Sequence, residues 1–228
     1  MADVTFSMVA ATATPIVRDD LVARLRVELH DEDSNNYRWV DATLERHVDR
    51  AVRELSQVWP RERLTTLSTA ADSRELDVSA LEDLVRVEAV EWPAGEYPPV
   101  YVQWSLYQDL LTLLVDGAPA AVEDVKVFWG SLHLCDASQC TLPTVAEDAV
   151  VTGASGYAAL EWANFAINRA NIAGVAAVDD YRQYGNAQLV KFQELLGEFG
   201  KRARVRVAGL FRPASGDAAS QSVVRWEG

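Results

Sequence analysis

The apolar residues of this 228-residue chain change period twice. They recur every three to four residues from 18 to about 60, shift toward every second residue in short stretches from about 63 to 140, and return to every three to four from 144 to about 203. The longer repeat lines one face of a helix and the shorter one face of a strand, so a change of period is a change of backbone. The pattern predicts an α+β fold: a mainly helical bundle of about four helices, an inserted antiparallel β-rich segment and an extended C-terminal tail. Read as a single domain over 1–228, the chain has helical parts at 18–62 and 144–203, a β-rich insertion at 63–140 and a C-terminal arm at 204–228.

Local signals place the elements. Leu21, Leu25 and Leu29 fall on one face of a first helix at 18–30, with Asp19 and Asp20 where a helix start favours negative charge. Asp41 is the expected cap of a second helix, whose stripe is Leu44, Val48, Ala51, Val52, Leu55 and Trp59; Pro60 ends it. Strands are expected at 63–67, 83–91, 100–106, 110–115 and 125–134 in one small antiparallel sheet. Turns are expected at Ala71-Asp72-Ser73, Trp92-Pro93-Ala94-Gly95, Pro98-Pro99, Asp116-Gly117 and Gly130. A long third helix from 144 to about 171 carries Ala149, Gly153, Gly156, Ala163 and Ala170, small residues that let a neighbouring helix come close. Two glycines there cost about 1 kcal/mol each against alanine, so close packing is expected in return. Asp179 is the expected cap of a fourth helix with Tyr181, Tyr184, Gln188, Phe192, Leu195 and Phe199 on one face.

Charge narrows the function classes. Thirty-four acidic residues against 21 basic ones give a net charge of −13, which excludes wrapping nucleic acid through a broad basic surface. A wall of that sign would let DNA slide past without sticking. Residues 1–17 carry Asp3 and no basic start, so no signal peptide is expected, and no apolar run approaches the ~20 residues of a membrane span. Two cysteines fit a reducing compartment, and synthesis in a cytoplasm is expected.

Each chemical motif has a plain structural reading beside it. Val151-Thr152-Gly153-Ala154-Ser155-Gly156-Tyr157 echoes a dinucleotide-binding turn, but Tyr157 and Ala159 stand where later glycines belong and the preceding residues read as a helix start. Asp31, Asp33 and Asn35 match the first oxygens of a calcium loop, whereas Asn36 and Ala42 replace the glycine and glutamate its geometry requires. His133, Cys135 and Cys140 offer three zinc-type ligands without a second pair; a metal, a local disulfide and ordinary loop thiols all stay open. The only other histidines are His30 and His47, and the carboxylate pairs Glu82-Asp83 and Asp179-Asp180 read as caps. The expectation is therefore no enzyme, no cofactor, no metal and no catalytic residue. The basic cluster Lys201, Arg202, Arg204, Arg206 and Arg212, followed by Val223, Val224 and Trp226, reads as an arm that docks on an acidic neighbour or on phosphate.

The order of elements resembles the head–tail connector, or adaptor, proteins of tailed double-stranded DNA phages. Three parts carry the resemblance: the helical pair LVARLRVELHDEDSNNYRWVDATLERHVDRAVRELSQVWP, the β segment closing on Thr141-Leu142-Pro143, and the helix AEDAVVTGASGYAALEWANFAINRAN leading into YRQYGNAQLVKFQELLGEF. It implies a structural virion protein that joins copies of itself into a ring, commonly a dodecamer. Such a ring sits in the neck between head and tail, binds the portal above and a tail or neck protein below, and extends the DNA channel. It is assembled in the host cytoplasm. The reading from another class is a monomeric ligand- or carbohydrate-binding module using Trp92, Tyr97, Tyr101, Trp104, Tyr107 and Trp129 of the β-rich segment.

Overall fold

A computed structural model describes residues 16–167 and 174–211. Four helices and seven strands occur among them, an α+β architecture: α1 Arg18–Glu28, α2 Asp41–Val58, β1 Arg61–Ser68, β2 Glu75–Asp77, β3 Leu84–Glu91, β4 Tyr101–Val102, β5 Trp104–Tyr107, β6 Leu110–Leu113, β7 Asp124–Ser131, α3 Thr144–Ile167 and α4 Gly174–Leu210. The chain divides into two compact units, Met1–Ala51 with Leu134–Leu189 and Val52–His133 with Val190–Gly228, so the boundaries fall within α2 and α4.

The first unit is helical. Leu21 and Leu25 of α1 are wholly buried, and Leu29 follows just past the helix end. The Val17 amide donates to the Asp20 carboxylate at 2.9 Å, which ties down the α1 start. In α2, Leu44, Val48 and Ala51 are fully buried, as the stripe requires. Asp41 is not its cap. It is the first helical residue, and the Val40 carbonyl accepts the Thr43 and Leu44 amides at 3.0 and 3.3 Å.

Helix α3 is buried over most of its circumference, with Ala146, Ala149, Val150, Ala154, Ala158 and Ala159 at 2% exposure or less. Its small residues do what their size predicts. A Cβ on Gly156 would lie 3.0 Å from the Gly185 carbonyl oxygen of α4, and one on Gly185 would lie 3.0 Å from the Gly156 carbonyl oxygen. Leu189 and Leu160 close over the two sites at 2.9 and 2.8 Å. Each helix thus places bare backbone against the other, and no residue larger than glycine fits at the crossing. Helix α4 differs from expectation at both ends. It begins before Asp179, which lies inside it and pairs with Arg182 at 3.1 Å, and it continues through residues assigned to the arm as far as Leu210.

The second unit is mostly β. Two antiparallel sheets replace the single one expected: β1-β7-β3-β4 and β2-β6-β5. The stretch read as one strand over 100–106 divides between them, with β4 pairing with β3 and β5 with β6. Alternation places Val125, Val127 and Trp129 of β7 on one face, where they join Val87 and Val90 of β3, Leu76 of β2 and Leu111 and Leu113 of β6 in one core. Burying each such side chain contributes roughly 1.5–3 kcal/mol. Gly130 is no turn. It sits inside β7, where a Cβ would fall 2.5 Å from Pro60 Cγ. Trp59 packs on Phe199 at 5.0 Å between ring centroids, and Phe211, just past α4, meets Tyr101 edge-on at 5.1 Å and Phe128 at a tilt at 4.9 Å. On α4 the buried positions described in this unit are Phe192, Leu196, Phe199, Gly200 and Ala203; Leu195 is only half-buried.

Candidate functional site

The connection between α1 and α2 is organised by a buried guanidinium. Arg26, next to the apolar face of α1, is 6% exposed. It donates to Asp31 Oδ2 at 2.6 Å, to the Trp39 carbonyl at 3.1 Å and to Asp41 Oδ1 at 2.5 Å, while the Tyr37 ring lies under it at 3.6 Å. Asp31 in turn accepts the Arg38 and Trp39 amides at 2.7 and 3.3 Å. Both terminal nitrogens of the buried charge find oxygens, which offsets the cost of holding an ion pair out of water. The carboxylate that resembled the first calcium ligand is therefore turned inward onto Arg26, and Asp33 accepts the Asn35 amide at 3.0 Å.

This connection presents an aromatic surface. Trp39, whose indole N–H donates to the Ala158 carbonyl at 3.3 Å, meets Trp162 edge-on at 5.9 Å and Tyr181 at 6.3 Å. Trp162 also contacts Phe165 at 5.5 Å, and Phe165 is 46% exposed. The exposed Arg38 guanidinium lies 5.0–5.7 Å from the centres of Trp39, Trp162 and Tyr181, within cation–π range. A groove of about 500 Å³ lies on one side of Arg38, lined by Glu28, His30, Asp180, Tyr181 and Tyr184. Another of about 530 Å³ is lined by Asp33, Asn36, Tyr37 and Trp162. Aromatic faces, one accessible cation and flanking carboxylates make a surface suited to gripping another polypeptide.

No family model matches the chain, and no curated relative matches it. Assignment of the site therefore rests on its own residues.

Other buried titratable groups lie beside oppositely charged side chains. His47 is 6% exposed, with Nε2 2.7 Å from Glu161 Oε2 and its ring stacked 6.3 Å from Tyr157. Burial pushes its pKa below the ordinary histidine value, against the upward pull of Glu161. Arg24 bridges Glu147 at 2.8 Å and also pairs with Asp148. In the β unit, burial would raise the Glu91 carboxyl, but the Gly95 amide and the Lys126 ammonium, both at 2.8 Å, hold it below its usual range.

The motifs weighed from sequence settle into plain positions. Thr152-Gly153-Ala154-Ser155-Gly156 lies in the middle of α3, where Thr152 and Ser155 hydroxyls return to the Asp148 and Thr152 carbonyls at 2.8 and 2.9 Å. The His133 ring approaches the Trp59 carbonyl at 3.1 Å, whereas Cys135 and Cys140 face each other as free thiols. Among the described residues, no three His, Cys, Asp or Glu side chains converge as a metal site. No described helix is long and apolar enough to cross a membrane.

Lys201, Arg202 and Arg204 lie exposed on the last turns of α4, with Arg202 3.8 Å from Glu198. Arg206 is within α4, but its side chain, like Arg212, Val223, Val224 and Trp226, lies outside the described residues. The six aromatic residues of the β segment form no shared platform. Trp129 is in the core, Trp92 and Trp104 pack against it, Tyr101 meets Phe128 edge-on, and Tyr97 stands exposed in the β3–β4 connection and Tyr107 at the end of β5. Reading the sequence missed Arg26 and Arg38. The available signal was an arginine beside each of two strongly apolar positions, Leu25 and Trp39, with acidic residues close by in sequence.

Proposed function

We propose that the chain is a structural subunit of a phage head–tail connector. In this reading copies join as a ring in the virion neck, hold the portal on one side and a tail or neck protein on the other, and turn over no substrate. One observation carries it. Buried charges of the helical unit such as Arg26 and Asp31 are committed to internal pairs, while Trp162 and Tyr181 flank Arg38 at the surface and Phe165 lies against Trp162. A chain built this way holds its own shape firmly and presents an adhesive patch rather than a reactive group. The net charge of −13, repeated around a ring, would keep DNA phosphates off the channel wall.

The test is electron microscopy of the full chain, alone and mixed with the portal encoded beside it. Rings, or added density beneath the portal, support the reading. Dispersed subunits in both samples overturn it.

A further inference from the structure

Cys135 and Cys140 sit opposite each other in an antiparallel bridge at the start of the 134–143 connection. The hydrogen bonds around them define the kind of pair. The Asp136 amide donates to the Gln139 carbonyl at 2.8 Å and the Thr141 amide to the Leu134 carbonyl at 2.8 Å, so the ladder bonds flank the cysteines rather than join them. A pair of this type brings Cα atoms to about 4.5 Å with side chains on the same face, inside the span of about 4.4–6.8 Å that a disulfide bridges. The loop between them is already closed: Asp136 Oδ1 accepts the Ser138 amide at 2.7 Å, the Ser138 hydroxyl at 2.6 Å and the Gln139 amide at 2.9 Å. Both thiols are free, Cys135 buried and Cys140 part-exposed.

We propose that Cys135 and Cys140 form a reversible intramolecular disulfide, closed by low-molecular-weight disulfides and opened by thiols, that clasps the 135–140 loop. The reaction has a defined order. Cys140, the more accessible sulfur, attacks as thiolate one sulfur of glutathione disulfide; that S–S bond breaks and one glutathione leaves as thiolate. The Cys135 thiol then gives up its proton, and its sulfur attacks Cys140 Sγ, breaking the mixed disulfide and releasing the second glutathione. The sum is two protein thiols and one glutathione disulfide converted to one protein disulfide and two glutathione thiols. The hydrogen bond from Cys135 to Cys140 and the Leu142 amide hold the Cys140 pKa below the usual thiol value, which suits the attacking role. The Cys135 pKa is raised chiefly by that same contact, which is lost once Cys140 carries glutathione.

The clasp reaches beyond the loop, because the Asp136 carbonyl accepts the Arg18 amide at 3.0 Å and so holds the first residue of α1. The proposal does not depend on the assembly reading and holds or fails whether or not rings form.

The experiment is incubation of the folded full chain with glutathione disulfide, followed by intact mass, thiol titration and amide exchange. The expected product is a single chain lighter by two hydrogens, with no free thiol and slower exchange at Arg18 and across 136–141. Cys135→Ser is expected to stop at one glutathione per chain, and Cys140→Ser to react more slowly than the unaltered chain. A stable glutathione adduct on the unaltered chain, disulfide-linked dimers, or two thiols that stay reduced when folded but react when denatured would each overturn the clasp.

Discussion

The helical unit and the β unit solve the same burial problem with different materials. The β unit buries branched aliphatic side chains and Trp129 between two sheets, so alternation alone nearly specifies which residues go inside. The helical unit buries alanines, two glycines in direct contact across a helix crossing, and a hydrogen-bonded Arg26. Its specificity comes from shape and polar matching. Small side chains bring little hydrophobic stabilisation each, so the unit depends on backbones coming close and on every buried charge finding its partner. The contrast predicts that the helical unit is the more sensitive to polar and single-carbon changes, and the β unit to loss of apolar volume.

The largest effect is expected at Arg26. Arg26→Ala leaves the buried Asp31 without its cation and is expected to destabilise the fold by about 3–5 kcal/mol, measured by guanidinium unfolding followed by circular dichroism. Arg26→Met with Asp31→Asn removes both charges, keeps an acceptor for the Arg38 amide, and is expected to recover part of the loss. A cost below 1 kcal/mol for Arg26→Ala would mean that polar matching does not govern this unit.

In the β unit the matching experiment is Leu113→Ala. Leu113 is fully buried among Val125, Val127 and Leu111, so lost transfer energy and the cavity together are expected to cost about 3 kcal/mol. Leu113→Met keeps most of the volume and is expected to cost less than half as much.

These two positions differ in how far the sequence announced them. Leu113 was legible as part of a strand expected at 110–115, although that run is almost wholly apolar and only the folded strand turns Leu111 and Leu113 inward. The stripes of α1 and α2, the small-residue character of α3 and the end of α2 at Pro60 were legible because each is a local pattern with one backbone solution. Arg26 was not, because its three oxygen partners come from the following loop and from Asp41, a convergence no spacing encodes. Asp41 and Asp179 look like caps in a linear reading, yet the helices begin before or at them. Strand β2 has a single buried residue, too short for a period to show. The split at Gln103 has no glycine or proline to mark it, and the chain changes sheet in mid-run. Gly130 reads as a turn by residue type, whereas its cause is the Pro60 ring packed against its backbone.

The helix crossing gives the next effect. Gly156→Ala and Gly185→Ala each improve helix propensity by about 1 kcal/mol, yet the added methyl meets the facing carbonyl at 3.0 Å. The expected net result is destabilisation of about 2 kcal/mol for each, as overpacking outweighs propensity. Gly156→Ala with Leu189→Ala sharpens the point. It removes the side-chain clash at 2.9 Å but leaves the backbone clash with Gly185, so it is expected not to restore stability. Recovery to the original midpoint would show that the crossing is set by Leu189 rather than by bare backbone.

The smallest effect has the opposite sign and isolates the cause. Gly197 also lies inside α4, but it is exposed and nothing lies within 4 Å of where its Cβ would be. Its helical backbone suits alanine, so Gly197→Ala keeps the folded geometry and reduces the freedom the unfolded chain loses on folding. The expected outcome is stabilisation by about 0.5–1 kcal/mol, read as a higher denaturant midpoint with an unchanged slope. The same substitution in the same helix is thus expected to stabilise at 197 and destabilise at 185. If Gly185→Ala also stabilised the protein, the two helices would not meet through bare backbone, and the distinction drawn between the units would fail at its most specific point.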